Sequence, residues 1–246
     1  MKWGTCPVQV SLAKNAIHLW RVDLDLAPQQ IAHLQEMLSP EETDRAGKFQ
    51  FERDRRRFQA AHGALRIILN RYLGCTPTQV QYQFTSNGKP ILVNSPELHF
   101  NLSHSHERAL VAVAHIHPIG VDIEQIRPLD NLDALARQCF SAHEYQQFAA
   151  LPAPDNLQGF FNAWTRKEAY IKAIGDGLSY PLAAFDVSLL PGEPTRLLTI
   201  ASAPHEASAW TLQAVDAGAG YAAAFAVRAT EVAVQYWDWI SLYVTS

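Results

Sequence analysis

From Val80 to Ile123 the chain offers one strand candidate after another with no helical period between them, whereas the flanking stretches read as helices. Val80 to Phe84 alternates, Asn87-Gly88 suits the positive φ angles of a tight hairpin turn, and Pro90 marks the returning strand as an edge. His99 to Leu102, Ala109 to His115 and Ile119 to Ile123 read as further strands. Upstream, residues 16–24 form another strand candidate, and Ser39-Pro40-Glu41-Glu42 carries the N-cap serine, N1 proline and N3 glutamate of a helix start. Phe58, Ala61, Leu65, Ile68, Leu69 and Tyr72 recur at three and four residues and predict an amphipathic helix over 53–72. Thr76 to Gln79 repeats the helix-start pattern for a short element. Downstream, helices are expected over 132–149 and 157–174, the second stopped near Gly175. Short strands are then expected at 185–190, 197–201, 209–215 and 221–227. Elements that cluster by type predict an α+β fold rather than a parallel α/β sheet.

A hydrophobic share of 48% against 18% charged residues supports a buried core. The length of 246 residues admits one large domain or two small ones. The apolar run Tyr221–Val227 is far short of the ~20 residues a bilayer span needs. The first twenty residues hold no continuous apolar stretch, so no secretory signal is expected. Cys6, Cys75 and Cys139 are dispersed, with neither pairing nor zinc spacing. These features predict a soluble cytoplasmic protein without a membrane partner. With 20 basic and 24 acidic residues the chain also lacks the cationic field of a nucleic-acid binder.

Several short motifs carry chemistry. In Gly120-Val121-Asp122-Ile123-Glu124, residues two apart share a strand face, so Asp122 and Glu124 project together, ~6.6 Å apart along the strand. Paired carboxylates suit a hard cation such as Mg²⁺, although a solvated strand face has the same pattern. In the helix beginning around Leu157, Trp164, Glu168 and Lys172 stack at i, i+4 and i+8 with Lys167 beside them. A surface Glu–Lys pair of a few tenths of a kcal/mol is the bland alternative. His99-Phe100-Asn101-Leu102-Ser103-His104-Ser105 places hydroxyl and imidazole groups at a strand end, where they can hold phosphate oxygens. Its histidines, with His106, His115 and His117, match no zinc spacing. Lys89 reads as a solvated turn residue in Asn87-Gly88-Lys89-Pro90. The basic run from Arg45 to Arg57 spreads around a helix axis, leaving Arg45 and Arg57 as the choices for a phosphate.

In this order, the basic segment, Gly-Lys-Pro, Phe-Asn-Leu-Ser-His-Ser, Gly-Val-Asp-Ile-Glu and Trp-x-x-Lys-Glu-Ala-x-x-Lys resemble the Sfp-type 4′-phosphopantetheinyl transferases from about Ser39 to Leu182. The resemblance implies a monomer of two similar α+β halves, here 1–115 and 116–246, with coenzyme A in the cleft between them. It also implies Mg²⁺-dependent transfer of the phosphopantetheine arm from coenzyme A to a serine of an acyl or peptidyl carrier protein, releasing adenosine 3′,5′-bisphosphate. On that resemblance Asp122, Glu124 and Glu168 match the metal-binding acids. Lys167 and Lys172 match lysines of the family's helix, Lys172 near the transferring phosphate. Ser103, His104, Lys89, Arg45 and Arg57 match coenzyme contacts. Glu42 stands where the family has a lysine, which puts one phosphate contact in doubt. Glu144 corresponds to a glutamate proposed as general base, yet Ser141-Ala142-His143-Glu144 is also a capping box. Both readings use the same carboxylate, with Glu168 as the other carboxylate able to take the serine's proton. A binding module without catalysis and a Mg²⁺-dependent pyrophosphate hydrolase are the rival classes. The segment from Ile126 to Phe140 is the expected carrier contact.

Overall fold

The alternation of apolar residues along the central strands determines how the layers stack. The computed structural model describes residues 2–7, 10–115, 117–177 and 180–239. Its strands are β1 (Gly4–Thr5), β2 (Ala16–Asp23), β3 (Tyr82–Phe84), β4 (Pro90–Leu92), β5 (Leu98–Ser105), β6 (Arg108–His115), β7 (Ile119–Gln125), β8 (Phe185–Val187), β9 (Leu197–Ile200), β10 (Thr211–Ala214), β11 (Tyr221–Val227) and β12 (Ala233–Trp239). The helices are α1 (Pro28–Glu36), α2 (Pro40–Gly47), α3 (Glu52–Leu73), α4 (Leu132–Cys139), α5 (Ala142–Ala149) and α6 (Asp155–Ile174).

One sheet runs β1-β12-β2-β6-β5 and a second runs β10-β11-β7. Even-numbered residues of β2 (Trp20, Val22) and odd-numbered ones of β6 (Ala109, Val111, Val113) meet Ala61, Ala64, Leu65 and Ile68 of α3. The opposite faces of those strands, Ile17, Leu19, Leu110 and Ala112, pack on Val121 and Ile123 of β7 and on Phe225 of β11. The remaining face of β11 (Ala222, Ala224, Ala226) joins Ala169, Tyr170 and Ala173 of α6. The result is an α+β stack of helix, sheet, sheet and helix. Each layer follows from the two-residue period of a strand or the stripe of a helix.

Most elements lie where the sequence places them, and the differences are local. The stretch 132–149 is two helices, because Phe140 turns extended at φ −96°, ψ 150° and Ser141 caps α5. Phe140 is buried against Phe148 and Phe160, so core packing wins over continued helix. Helix α1 is an addition to the expected set, as are β1 and β12. Strand β12 runs parallel to both β1 and β2. It carries the chain from the C-terminal stretch back into the sheet that holds β2, β5 and β6. Residues 240–246 of the expected C-terminal half lie outside those described. None of the described helices is long and apolar enough to cross a membrane.

Candidate active site

Two structural devices bring the motif residues together. In β7 the odd residues Ile119, Val121 and Ile123 are buried between the sheets, so Gly120, Asp122 and Glu124 share the opposite face. Helix α6 lies directly on that face: a Cβ on Gly120 would collide with the Ala169 carbonyl oxygen and the Ala173 amide. Glycine at 120 is therefore what lets the helix carrying Glu168 and Lys172 approach the strand carrying the two acids. The second device is β5, which splits its residues between two tasks. Asn101, Ser103 and Ser105 turn toward β7, where Asn101 Oδ1 accepts from the Val121 amide at 2.8 Å. Ser103 Oγ donates to Asp122 Oδ1 at 2.8 Å, and Ser105 Oγ donates to Glu124 Oε2 at 2.9 Å. Phe100, Leu102 and His104 form, with Asn101, part of the wall of a cavity of ≈ 870 Å³.

At the seam, Lys172 Nζ donates to Asp122 Oδ1 at 2.6 Å and to Ser103 Oγ at 3.0 Å. Asp122 is 3% exposed, and its Oδ2 is buried with no hydrogen-bond partner, as is Glu168 Oε1. Burial first, and then the Asp122 charge, pushes both Glu124 and Glu168 above the usual carboxylate range. Glu168 also senses Glu124, so the three acids share one electrostatic neighbourhood. Among the described residues no three His, Cys, Asp or Glu side chains form a ready metal cage. The donor set nonetheless fits a hard cation, with oxygen-only ligands, mutual repulsion and two buried oxygens lacking any partner.

The cavity beside this seam is lined by Tyr82, Phe84, Pro90 and Phe100 together with Arg45, His62, Arg66 and His104, the Arg66 guanidinium lying over the Tyr82 ring at 5.2 Å. Arg45 is exposed in the last turn of α2, with its guanidinium over the Phe58 ring at 5.2 Å. His104 is solvent-accessible yet crowded by protein. Loss of water, followed by the charges of His62, Lys172 and Arg45, holds it down at about 4, so at neutral pH the ring is uncharged. Glu42 completes a capping box with Ser39 and also accepts from Arg66 Nε at 2.5 Å, with His62 Nδ1 at 3.2 Å. Burial raises Glu42, but the bonds from His62 and Ser39 and the Arg66 charge outweigh it and leave it below its usual value.

Four expected site residues are placed elsewhere. Glu144 is 0% exposed and fully engaged: Oε1 accepts from the Val187 amide at 2.8 Å, and Oε2 accepts from the Ser141 amide at 2.9 Å. Oε2 also pairs with Lys167 Nζ at 2.7 Å. Glu144 therefore offers no surface to a docking serine, and its bonds to Ser141 are those of the capping-box reading. Lys167 is buried by the same arrangement and donates as well to the Leu182 and Phe185 carbonyls at 2.8 and 2.6 Å, so its ammonium faces protein rather than the cavity. Arg57 makes a bidentate pair with Asp25, both bonds 2.7 Å, away from the cavity lining. Lys89 turns from the cavity to the end of α6. Conversely, His62 and Arg66 are cavity residues that the sequence did not single out. The i, i+4 spacing from Arg45's stacking partner Phe58 through His62 to Arg66 on α3 was the available signal.

Comparison with known proteins gives this arrangement its class. Residues 118–226 match the 4′-phosphopantetheinyl transferase superfamily, and residues 25–116 match the family described as 4′-phosphopantetheinyl transferase, N-terminal. The chain is 39% identical over 240 residues to the 4′-phosphopantetheinyl transferase HetI of Nostoc sp. (strain PCC 7120), covering 96% of this chain and 98% of that protein. It is 38% identical to psf-1 of Bacillus pumilus over 71% of this chain and 73% of that protein. Against Sfp of Bacillus subtilis (strain 168) the identity is 30%, over 68% and 74%. The chain belongs to the Sfp-type 4′-phosphopantetheinyl transferases.

Proposed function

We propose that the chain moves the 4′-phosphopantetheine arm of coenzyme A onto a serine hydroxyl of an acyl or peptidyl carrier protein, in a Mg²⁺-dependent reaction that releases adenosine 3′,5′-bisphosphate. The observation that carries this reading is the pair of buried, unpartnered oxygens, Asp122 Oδ2 and Glu168 Oε1, beside Lys172 and a cavity rich in basic groups. Asp122, Glu124 and Glu168 would hold the ion, which supplies charge stabilisation for the coenzyme's pyrophosphate. Arg45, His62 and His104 offer donors to the nucleotide's phosphates, with His104 contributing a hydrogen bond rather than a charge, while Arg66 is buried behind them, its guanidinium bonded to Glu42 and to the Pro77 and Val80 carbonyls. Glu42 pairs with Arg66 and lies 3.2 Å from His62 Nδ1, so it tempers rather than adds to that phosphate site.

In the transfer step the carrier serine oxygen bonds to the phosphorus of the pantetheine arm as the bridging P–O bond of the pyrophosphate breaks. Lys172, held by Ser103 and Asp122, steadies the charge on the phosphate being transferred. The serine proton passes to Glu168, directly or through water, since Glu144 has no surface to receive it. Positioning and charge account for most of the acceleration expected of such a transfer.

On this reading the chain is a monomer of two similar halves, 1–115 and 116–246: a long helix lies on each sheet, α3 on the first and α6 on the second, and β12 returns to the first sheet parallel to its neighbours. The carrier-contact segment, Ile126 to Phe140, turns Leu129, Leu132 and Leu135 partly into the core and leaves Arg127 and Pro128 outside. The test is incubation with coenzyme A, Mg²⁺ and a panel of apo-carriers, followed by mass spectrometry. A gain of one phosphopantetheine arm is expected. Free phosphopantetheine with unmodified carrier would favour the hydrolase reading instead.

A further inference from the structure

Lys89 occupies an unusual place for a residue in a hairpin turn. It follows Gly88, whose φ of 81° makes the turn between β3 and β4, and its side chain leaves the hairpin rather than entering solvent. Nζ donates to the Lys172 carbonyl at 2.6 Å, the Ala173 carbonyl at 2.9 Å and the Ile119 carbonyl at 3.2 Å. The first two are among the last four carbonyls of α6, which have no partner within the helix and carry its negative pole. The third opens β7. All three donor positions of the ammonium are thus filled by backbone, and burial pushes Lys89 down to about 8.

The fit is steric as well as polar. Gly175 ends α6 in the left-handed region at φ 82°, and a Cβ there would press on Lys89 Cδ at 3.3 Å. Beside it, the space above Gly177 is bounded by the Asn87 carbonyl. The hairpin tip therefore seats on the helix terminus. Gly88 and Pro90, on either side of Lys89, line the cavity, whereas Lys89 does not.

We infer that Lys89 is a positioning residue, clamping the end of α6 and the start of β7 to the cavity hairpin and so fixing Glu168 and Lys172 against Asp122. This rests on the proposed transfer reaction for its kinetic readout but not for its structural one. The two elements it joins carry every acid of the seam, and Lys172, whose own carbonyl Lys89 grips, also supplies the ammonium on Asp122. Loss of the clamp lets the last turn of α6 shift while the cavity walls stay in place. A displacement of that kind lowers turnover rather than coenzyme affinity.

The experiment compares wild type, K89M and K89R. Calorimetric titration with coenzyme A gives Kd and the fraction of competent molecules, and that fraction normalises the turnover. For K89M, kcat is expected to fall about 10- to 100-fold with Kd for coenzyme A within about twofold, and K89R is expected to recover part of the loss. A rise in Kd that accounts for the whole loss would make Lys89 a direct coenzyme ligand and overturn the inference. An unchanged kcat per competent molecule would overturn it too, leaving only a structural tie. Hydrogen exchange tests the clamp without turnover. Amides at 171–175 and 119–121 are expected to exchange faster in K89M while those of α3 do not, and equal protection throughout would refute the clamp even if the wild type transfers nothing.

Discussion

Helix α6 presents two lysine–carboxylate pairs only a turn and a half apart, and they have opposite characters. Lys167 and Glu144 are 1% and 0% exposed, and their polar atoms are satisfied by each other and by the backbone of Ser141, Leu182, Phe185 and Val187. The side chains of Lys172 and Asp122 are 29% and 4% exposed and stand among carboxylates that repel one another, with Asp122 Oδ2 and Glu168 Oε1 left unpartnered. Satisfaction separates the two. A closed network holds α5, α6 and β8 together, while an open one is set to receive an ion and an anionic substrate.

The first way to break the comparison is through stability. Removing one partner of the closed pair strands a buried charge, so K167M is expected to lose about 3–5 kcal/mol in urea unfolding while turnover per folded molecule is retained. A stability loss near zero would show that the network is not a strut. Next in size, D122A should lower carrier transfer by at least about 10²- to 10³-fold, equivalent to ~2.7–4 kcal/mol, with its circular dichroism spectrum unchanged. Wild-type transfer by D122A would remove the open network from the chemistry.

Third, the open network should have a pH and metal signature. Glu124 and Glu168 hold protons more tightly folded than unfolded, so their contribution is favourable below the usual carboxylate pKa and is lost as pH rises through the raised values. At neutral pH, Mg²⁺ should restore it, raising stability by about 1–3 kcal/mol at saturating concentration, and E124Q should shrink that gain. A thermal midpoint indifferent to Mg²⁺ would contradict the donor assignment. The smallest effect concerns Arg57. Its partner Asp25 is 57% exposed, so R57A should cost about 1 kcal/mol and leave transfer within about twofold of wild type.

The same contrast explains what the sequence could and could not reveal. Period-two alternation sufficed to put Asp122 and Glu124 on one face with Val121 and Ile123 beneath, and i, i+4 spacing put Glu168 with Lys172. The capping boxes at Ser39 and Ser141 and the turn at Asn87-Gly88 were equally legible because their partners are local. Lys167 and Lys172 looked alike because spacing says nothing about whether a charge finds its partners in the backbone of distant segments. Lys89 looked like a solvated turn residue for the same reason, since its acceptors belong to α6 and β7. Strand β12 has no local signal because its parallel partner β2 lies at the far end of the chain, whereas the Ser141 cap is a local mark of the break between α4 and α5.

The most direct measurement is a side-by-side transfer assay and thermal melt of E144Q and E168Q, two isosteric changes on the two networks. E168Q is expected to lose transfer by about 10²-fold or more while melting no lower than wild type, and E144Q to melt lower while keeping its turnover per folded molecule. Full transfer by E168Q, or an E144Q that folds like wild type yet no longer modifies the carrier, would contradict the assignment of the reaction to the open side of α6.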